Sequence, residues 1–310
     1  MSSVALLSAN LITTVLETLF YGAYVVLATS AVYLTVTRKK GRTAVSSSKM
    51  ISGVALLSVA LFGTVTAHWI LNVARLFLAF HNLDDPLGPR IFYADLSHAT
   101  EVTKYGFLVA ALFIGDLFLI HRTWAIWGFC TRIIIFPTLT LVGFTTFGVG
   151  LTYQLSTYNS TDNIFKSEFR RWTTGICFFS LSTTAYTTAF VWYKLWETTR
   201  TLKELGIPGL ASIIRIFVDS AALLCAWGLF HVISYQCGSN LQFIAVDCTP
   251  VLVGISNILI HLRLHFDFSD SEKIGSSHSH QIEFADSGEG AEGDIELGIG
   301  SKRPLSLTDV

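Results

Sequence analysis

Four polar side chains interrupt an otherwise apolar stretch of this 310-residue chain: Thr64, His68, Asn72 and Arg75. They fall at i, i+4, i+8 and i+11, so a helix would carry them on one stripe. Thr13, Glu17, Tyr21 and Tyr24 repeat the pattern in the first apolar stretch, and His231 and Tyr235 stand one turn apart near the end of another. A carboxylate, an imidazole, a carboxamide and a guanidinium are costly in hydrocarbon, so they face a bundle interior or water. The sharp expectation is a polar pocket that binds a ligand through Glu17, His68, Asn72, Arg75 and His231. The plainer reading is that Arg75 snorkels to the headgroups and that His68 bonds to a neighbouring helix.

A second set is placed to act as an inner polar switch. Asp116 stands about a turn and a half before Arg122, Arg215 and Asp219 are at i, i+4, and Asn257 and His261 share a face. A buried Asp116 wants a cation or a donor, which Arg215 or His261 could supply. The same contacts would also serve as static glue between helices. His261 and His265 have the spacing of two zinc ligands on a helix, but a catalytic zinc needs a third ligand and an acid–base carboxylate, and nothing in the spacing selects them. No resident metal and no cofactor is expected. The five cysteines lack metal-binding spacing, and a Cys237–Cys248 bridge is disfavoured because Cys248 would lie roughly 10 Å down its helix. No phosphate loop, nucleophile elbow or kinase signature appears, and no enzymatic activity is assigned.

The elements that must position these residues follow from composition. Hydrophobic residues make up 51% of the chain and charged ones 14%, and the mean hydropathy is +0.54. A soluble domain carries roughly 25% charged residues, so the lipid bilayer is the expected partner. Seven stretches reach the roughly 20 apolar residues of a membrane helix: about 11–37, 50–80, 103–127, 133–153, 172–196, 212–236 and 241–264. The expected fold is an all-α bundle of seven transmembrane helices over residues 1–266, followed by a disordered acidic tail over 267–310. The tail carries a net charge of −7 and the body +6.

Lys and Arg near the ends of spans set the orientation. Twelve fall on the side holding Arg38, Lys39, Lys40, Arg132, Lys203 and Arg263, and six on the side holding Arg90, Lys166 and Arg170. The N-terminus is therefore expected outside and the C-terminus in the cytoplasm. The sequon Asn159-Ser160-Thr161 then lies outside, where glycosylation of Asn159 would occur. The first span lacks a basic n-region and is too long for a cleavable signal. Residues 82–98, with their turn formers and acids, read as an ordered outer loop. Pro250 is expected to bend the last span, and the Ser/Thr-rich span over 172–196 to pack closely against its neighbours.

Several stretches in order, TVLETLFYGAYVVL from Thr14, TAHWILNVARLFLAF, YADLSHATEVTKYGFLVAALFIGDLFLIHRTWAIWG, IIRIFVDSAALLCAWGL and GSNLQFIAVDCTPVLVGISNILIHLRL, carry a resemblance. Over Thr14 to Leu264 the chain resembles a large family of seven-span membrane proteins from mushroom-forming fungi. That resemblance implies an integral membrane protein and supplies no substrate, ligand or residue role. The usual receptor signatures are missing: the third span ends in HRTW and the seventh reads SNILIHL. The leading expectation is a receptor- or sensor-like protein of the plasma membrane or another secretory-pathway membrane, with a small-molecule ligand and a cytoplasmic protein partner. A transporter or channel for a small solute is the alternative, and a zinc hydrolase or a scaffold stands behind it. No nucleic-acid partner is expected.

Overall fold

The computed structural model describes residues 6–39, 48–81, 88–157, 167–204 and 224–259. Among these the protein is helical throughout: α1 Leu6–Lys39, α2 Ser48–Ala79, α3 Gly88–Ala94, α4 Ala99–Ile126, α5 Thr131–Ser156 and α6 Ser167–Glu204, then α7 at 224–236 and α8 at 241–259. By contacts the chain divides into Met1–Arg263 and Leu264–Val310. The second unit, and with it the expected tail, lies outside the described residues.

Five helices contain segments long and apolar enough to cross a membrane: Leu6–Leu34, Gly53–Ala79, Ala99–Ile126, Thr131–Ser156 and Leu241–Leu259. α6 has the length, but Ser180, Ser182, Thr183, Thr184, Thr187 and Thr188 dilute its apolar run. The span expected over 212–236 is described only from 224 onward. Large apolar side chains cover the outside of the bundle. Val15, Val59, Leu139 and Phe178 are all outward, and Phe77 reaches 72% exposure. Water would penalise such a surface, whereas acyl chains solvate it.

The last-turn and first-turn chemistry explains where helices stop. The Asp95 carboxylate accepts from the Ser97 N–H at 3.1 Å and the Ser97 hydroxyl at 2.6 Å. His98 then caps α4, its Nδ1 accepting from the Thr100 N–H. α4 therefore starts at Ala99, four residues earlier than hydropathy alone suggests, and it takes Glu101 into the helix one turn before Lys104. The chain before it folds into the short helix α3. Between α7 and α8, Gly238 takes φ +62°, a backbone conformation that costs glycine little. α8 is an unbroken helix through Pro250.

α4 is the central element. One face joins Ile120 to Leu141, Phe144, Leu151 and Leu155 of α5 and Ile176 of α6. The other joins Ala111 and Phe118 to Tyr24 of α1, Leu61 and Val65 of α2 and Val251 of α8. Glycines set the helix spacing. A Cβ on Gly150 would come within 2.2 Å of the Trp172 ring, and one on Gly175 within 2.2 Å of the Phe147 ring. One of the α6 hydroxyls packs as expected: Thr183 and Thr140 share a hydrogen bond of 2.8 Å between α6 and α5.

Candidate functional site

The α1 and α2 stripes face each other. The Glu17 carboxylate lies 2.8 Å from His68 Nδ1 and also accepts from the Asn72 amide. Around them Tyr21 stacks on Trp69 at 4.4 Å, and the Trp69 indole donates to Thr18. Arg75 is joined indirectly. Its Nε lies 2.7 Å from Glu101 of α4, and its Nη1 donates to Thr100 at 2.8 Å. Phe92 and Tyr93 of α3 cover the guanidinium, with ring centroids at 4.9 and 5.9 Å, a cation–π arrangement. Burial raises the Tyr93 phenol above its ordinary range, with the Arg75 and Lys104 charges opposing, so it remains neutral at physiological pH.

Lys104 closes the circuit. Its ammonium lies 3.1 Å from Asp247 of α8 and 3.3 Å from Glu101. Asp247 in turn is 3.9 Å from His68 Nε2, too long for a direct hydrogen bond. The run Asn72–Glu17–His68–Asp247–Lys104–Glu101–Arg75–Thr100 thus ties α1, α2, α4 and α8 together. None of its seven residues from Glu17 to Asp247 with a charged or amide group is more than 4% exposed. Three carboxylates stand against two permanent cations, and His68 is the group able to carry the third positive charge. Charges this deep are tolerated only when paired and hydrogen-bonded, and here each has a partner within the network.

The sequence points to Glu17, His68, Asn72 and Arg75 but not to Glu101, Lys104 and Asp247, which complete their charge balance. Glu101 and Lys104 sit beside the apolar run and read as flanking charges. Asp247 is a lone acid in QFIAVDCTPV. The available signal was a count: two buried cations need buried acids.

A separate cavity of about 120 Å³ lies among α4, α5, α6, α7 and α8. Its wall on α4 runs from Tyr105 to Leu119, and on α8 from Gln242 to Asn257; each stretch is about 21–23 Å long at a rise of 1.5 Å per residue. Leucines, valines and the rings of Tyr105, Phe169, Trp227 and Phe243 make most of it. Trp227 fixes α7 to α8, its indole donating to the Ala245 carbonyl at 3.0 Å. Of the five residues expected to bind ligand, His231 lines this cavity and the other four do not. His231 Nδ1 is 3.6 Å from the Cys177 sulfur.

Two residues of the expected inner switch, Asp116 and Asn257, also line the cavity. Arg215, Asp219 and His261 lie outside the described residues, as do His265 and Asn159. Asp116 is 4% exposed, and its Oδ2 has no hydrogen-bond partner among the described residues; the same holds for His231 Nε2. An unsatisfied buried polar atom costs about 1–3 kcal/mol, so both atoms are open to an occupant that supplies what the protein does not. No three His, Cys, Asp or Glu side chains cluster around a metal position among the described residues. All five cysteines are free thiols, Cys237 exposed and Cys248 buried. Comparison with family models, with curated proteins and with solved structures yields no match for this chain.

Proposed function

We propose that this chain is a receptor- or sensor-like membrane protein whose bundle holds a small, largely apolar ligand between α4 and α6–α8. α6 and the helix ending at 236 serve as its remaining two spans, making seven, with the N-terminus outside and the C-terminus in the cytoplasm. The observation that carries the reading is the cavity with unsatisfied buried atoms on its lining residues, Asp116 Oδ2 and His231 Nε2 among them. Apolar walls with a few polar groups are what small-molecule sites are made of, and an apolar cavity of about 150 Å³ is enough to admit benzene. The ion network supports the reading in a second way. α4 carries the cavity residues from Tyr105 to Leu119 and, just before them along the same helix, Glu101 and Lys104, so an occupant that shifts α4 would work against ion pairs to α2 and α8. The network is thereby the element that would register occupancy.

The test is selection of lipophilic metabolites by the purified protein in nanodiscs, read by mass spectrometry, for the wild type and for Gly228→Phe. Gly228 lines the cavity, and its added Cβ would meet only the Leu181 side chain, at 3.4 Å, so a side chain can start there and occupy cavity space. At least one compound should be retained by the wild type and lost from the variant. Identical capture by both would refute the proposal. Flux of the captured compound into sealed proteoliposomes would make the protein a transporter instead.

A further inference from the structure

The proposed cavity has a chemical preference of its own, and this inference rests on that reading. We infer that the cavity accepts a slender lipophilic amine, with its ammonium group on Asp116.

The argument starts from what the Asp116 end of the cavity offers. Asp116 has no hydrogen bond and no ion pair among the described residues, although it is 4% exposed. Beside it, Asn257 spends one of its two amide N–H groups on the Val253 carbonyl at 3.0 Å. The other N–H and the side-chain oxygen remain beside the Asp116 carboxyl. Among the described residues no cation meets Asp116, and a charge this deep is tolerated only once it is paired. A primary ammonium brings three donors to this end. It also brings the opposite charge, and two opposite charges attract far more strongly in low dielectric than in water. A hydroxyl supplies one donor and no charge. A carboxylate supplies neither and would meet Asp116 as a like charge.

Shape gives the rest of the class. Gly115 sits where its missing side chain lets Val253 and Asn257 close in: a Cβ there would be 2.4 Å from Val253 and 3.9 Å from the Asn257 nitrogen. The Asp116 end is therefore narrow. The walls beyond it are Leu108, Leu112, Ile176 and Val246, which suit a methylene chain or a small ring. The volume of about 120 Å³ limits the occupant to a slender body. The Glu17–Asp247 network does not compete for such an amine, because Glu101 and Asp247 already hold Arg75 and Lys104 and Glu17 is taken by His68 and Asn72.

The experiment compares hexylamine, 1-hexanol and hexanoate, titrated calorimetrically at pH 7.4 into nanodiscs carrying the full chain, with empty nanodiscs subtracted. The proteins are the wild type, Asp116→Asn and Gly228→Phe. The wild type should bind hexylamine at least tenfold more tightly than hexanol and hexanoate. Asp116→Asn should lose at least tenfold for hexylamine while hexanol is unchanged, and Gly228→Phe should bind none of the three. Equal binding of amine and alcohol by the wild type overturns the amine inference whether or not the variant folds. If that binding is also abolished by Gly228→Phe, the cavity reading survives. Binding that Gly228→Phe leaves intact, or no binding at all, overturns the inference and counts against the cavity as well.

Discussion

Lys104 is the side chain whose loss should be felt most. Its ammonium stands 3.1 Å from Asp247 and 3.3 Å from Glu101, and it is 2% exposed. At an effective dielectric of about 20, each contact is worth roughly 5 kcal/mol of attraction. Desolvating the ammonium offsets several kcal/mol of that total. Lys104→Met keeps most of the stem and removes the charge. Glu101 retains Arg75 at 2.7 Å, but Asp247 keeps only His68 at 3.9 Å. Stranding a buried charge in this way costs about 3–5 kcal/mol. The assay is reversible unfolding in mixed micelles titrated with sodium dodecyl sulfate, run as a cycle with Asp247→Asn. Removing both charges should be less damaging than the two single losses predict, by about 0.5–3 kcal/mol. As a control, Lys194→Ala removes an even shorter ion pair to Glu197, 2.7 Å long, whose partners are 36% and 51% exposed; it should cost less than about 1 kcal/mol. A loss below about 1 kcal/mol for Lys104→Met, or strict additivity with Asp247→Asn, would refute the view that the network is electrostatically coupled.

Two further outcomes test the packing and the sidedness. Gly150→Ala and Gly175→Ala each drive a methyl into an aromatic ring, at 2.2 Å from Trp172 and Phe147, and should lower stability by about 1–3 kcal/mol. Gly63→Ala, with nothing within 4 Å of its Cβ, should instead raise it by about 0.5–1 kcal/mol, all three read by the same unfolding titration. Cys130 and Cys237 are both exposed, and α5, α6 and α7 lie between them. If those three helices all cross, an impermeant maleimide added to intact cells will label Cys237 and spare Cys130. Labelling both, or Cys130 alone, would break the seven-span topology or its orientation.

The helices were legible because lipid demands length and apolarity, and both are properties of a sequence window. Their ends were less so. The Asp95–Ser97 turn and the His98 cap move the start of α4 to Ala99, and a hydropathy window does not see hydrogen bonds. The α1 and α2 stripes were legible because helical periodicity places residues on a face. Which residues of the two stripes would pair is not set by periodicity; Glu17 and His68 meet at 2.8 Å, a bond from His68 to a neighbouring helix as the plainer reading has it. The route from Arg75 to Asp247 was hidden, since Glu101 and Lys104 lie at the edge of an apolar run and periodicity says nothing about which face of α4 meets α8. His231 was grouped with the outer stripe by depth. Depth fixes a level along the bundle and not an azimuth around it, and His231 lies beside Cys177 instead.

The separation along the chain between Lys104 and Asp247 has a consequence for biogenesis. They are 143 residues apart, and translation at about 5–20 residues per second takes roughly 7–30 s to cover that distance. Throughout that interval the nascent chain holds a lysine in its third long helix whose second acid has not been made. Leaving such a group against acyl chains costs at most roughly 2.5–3.5 kcal/mol, the insertion-scale value at a helix centre. The early helices are therefore expected to linger at the translocon until the final one arrives, so that a ribosome stalled before Asp247 leaves an unfinished bundle exposed to membrane quality control.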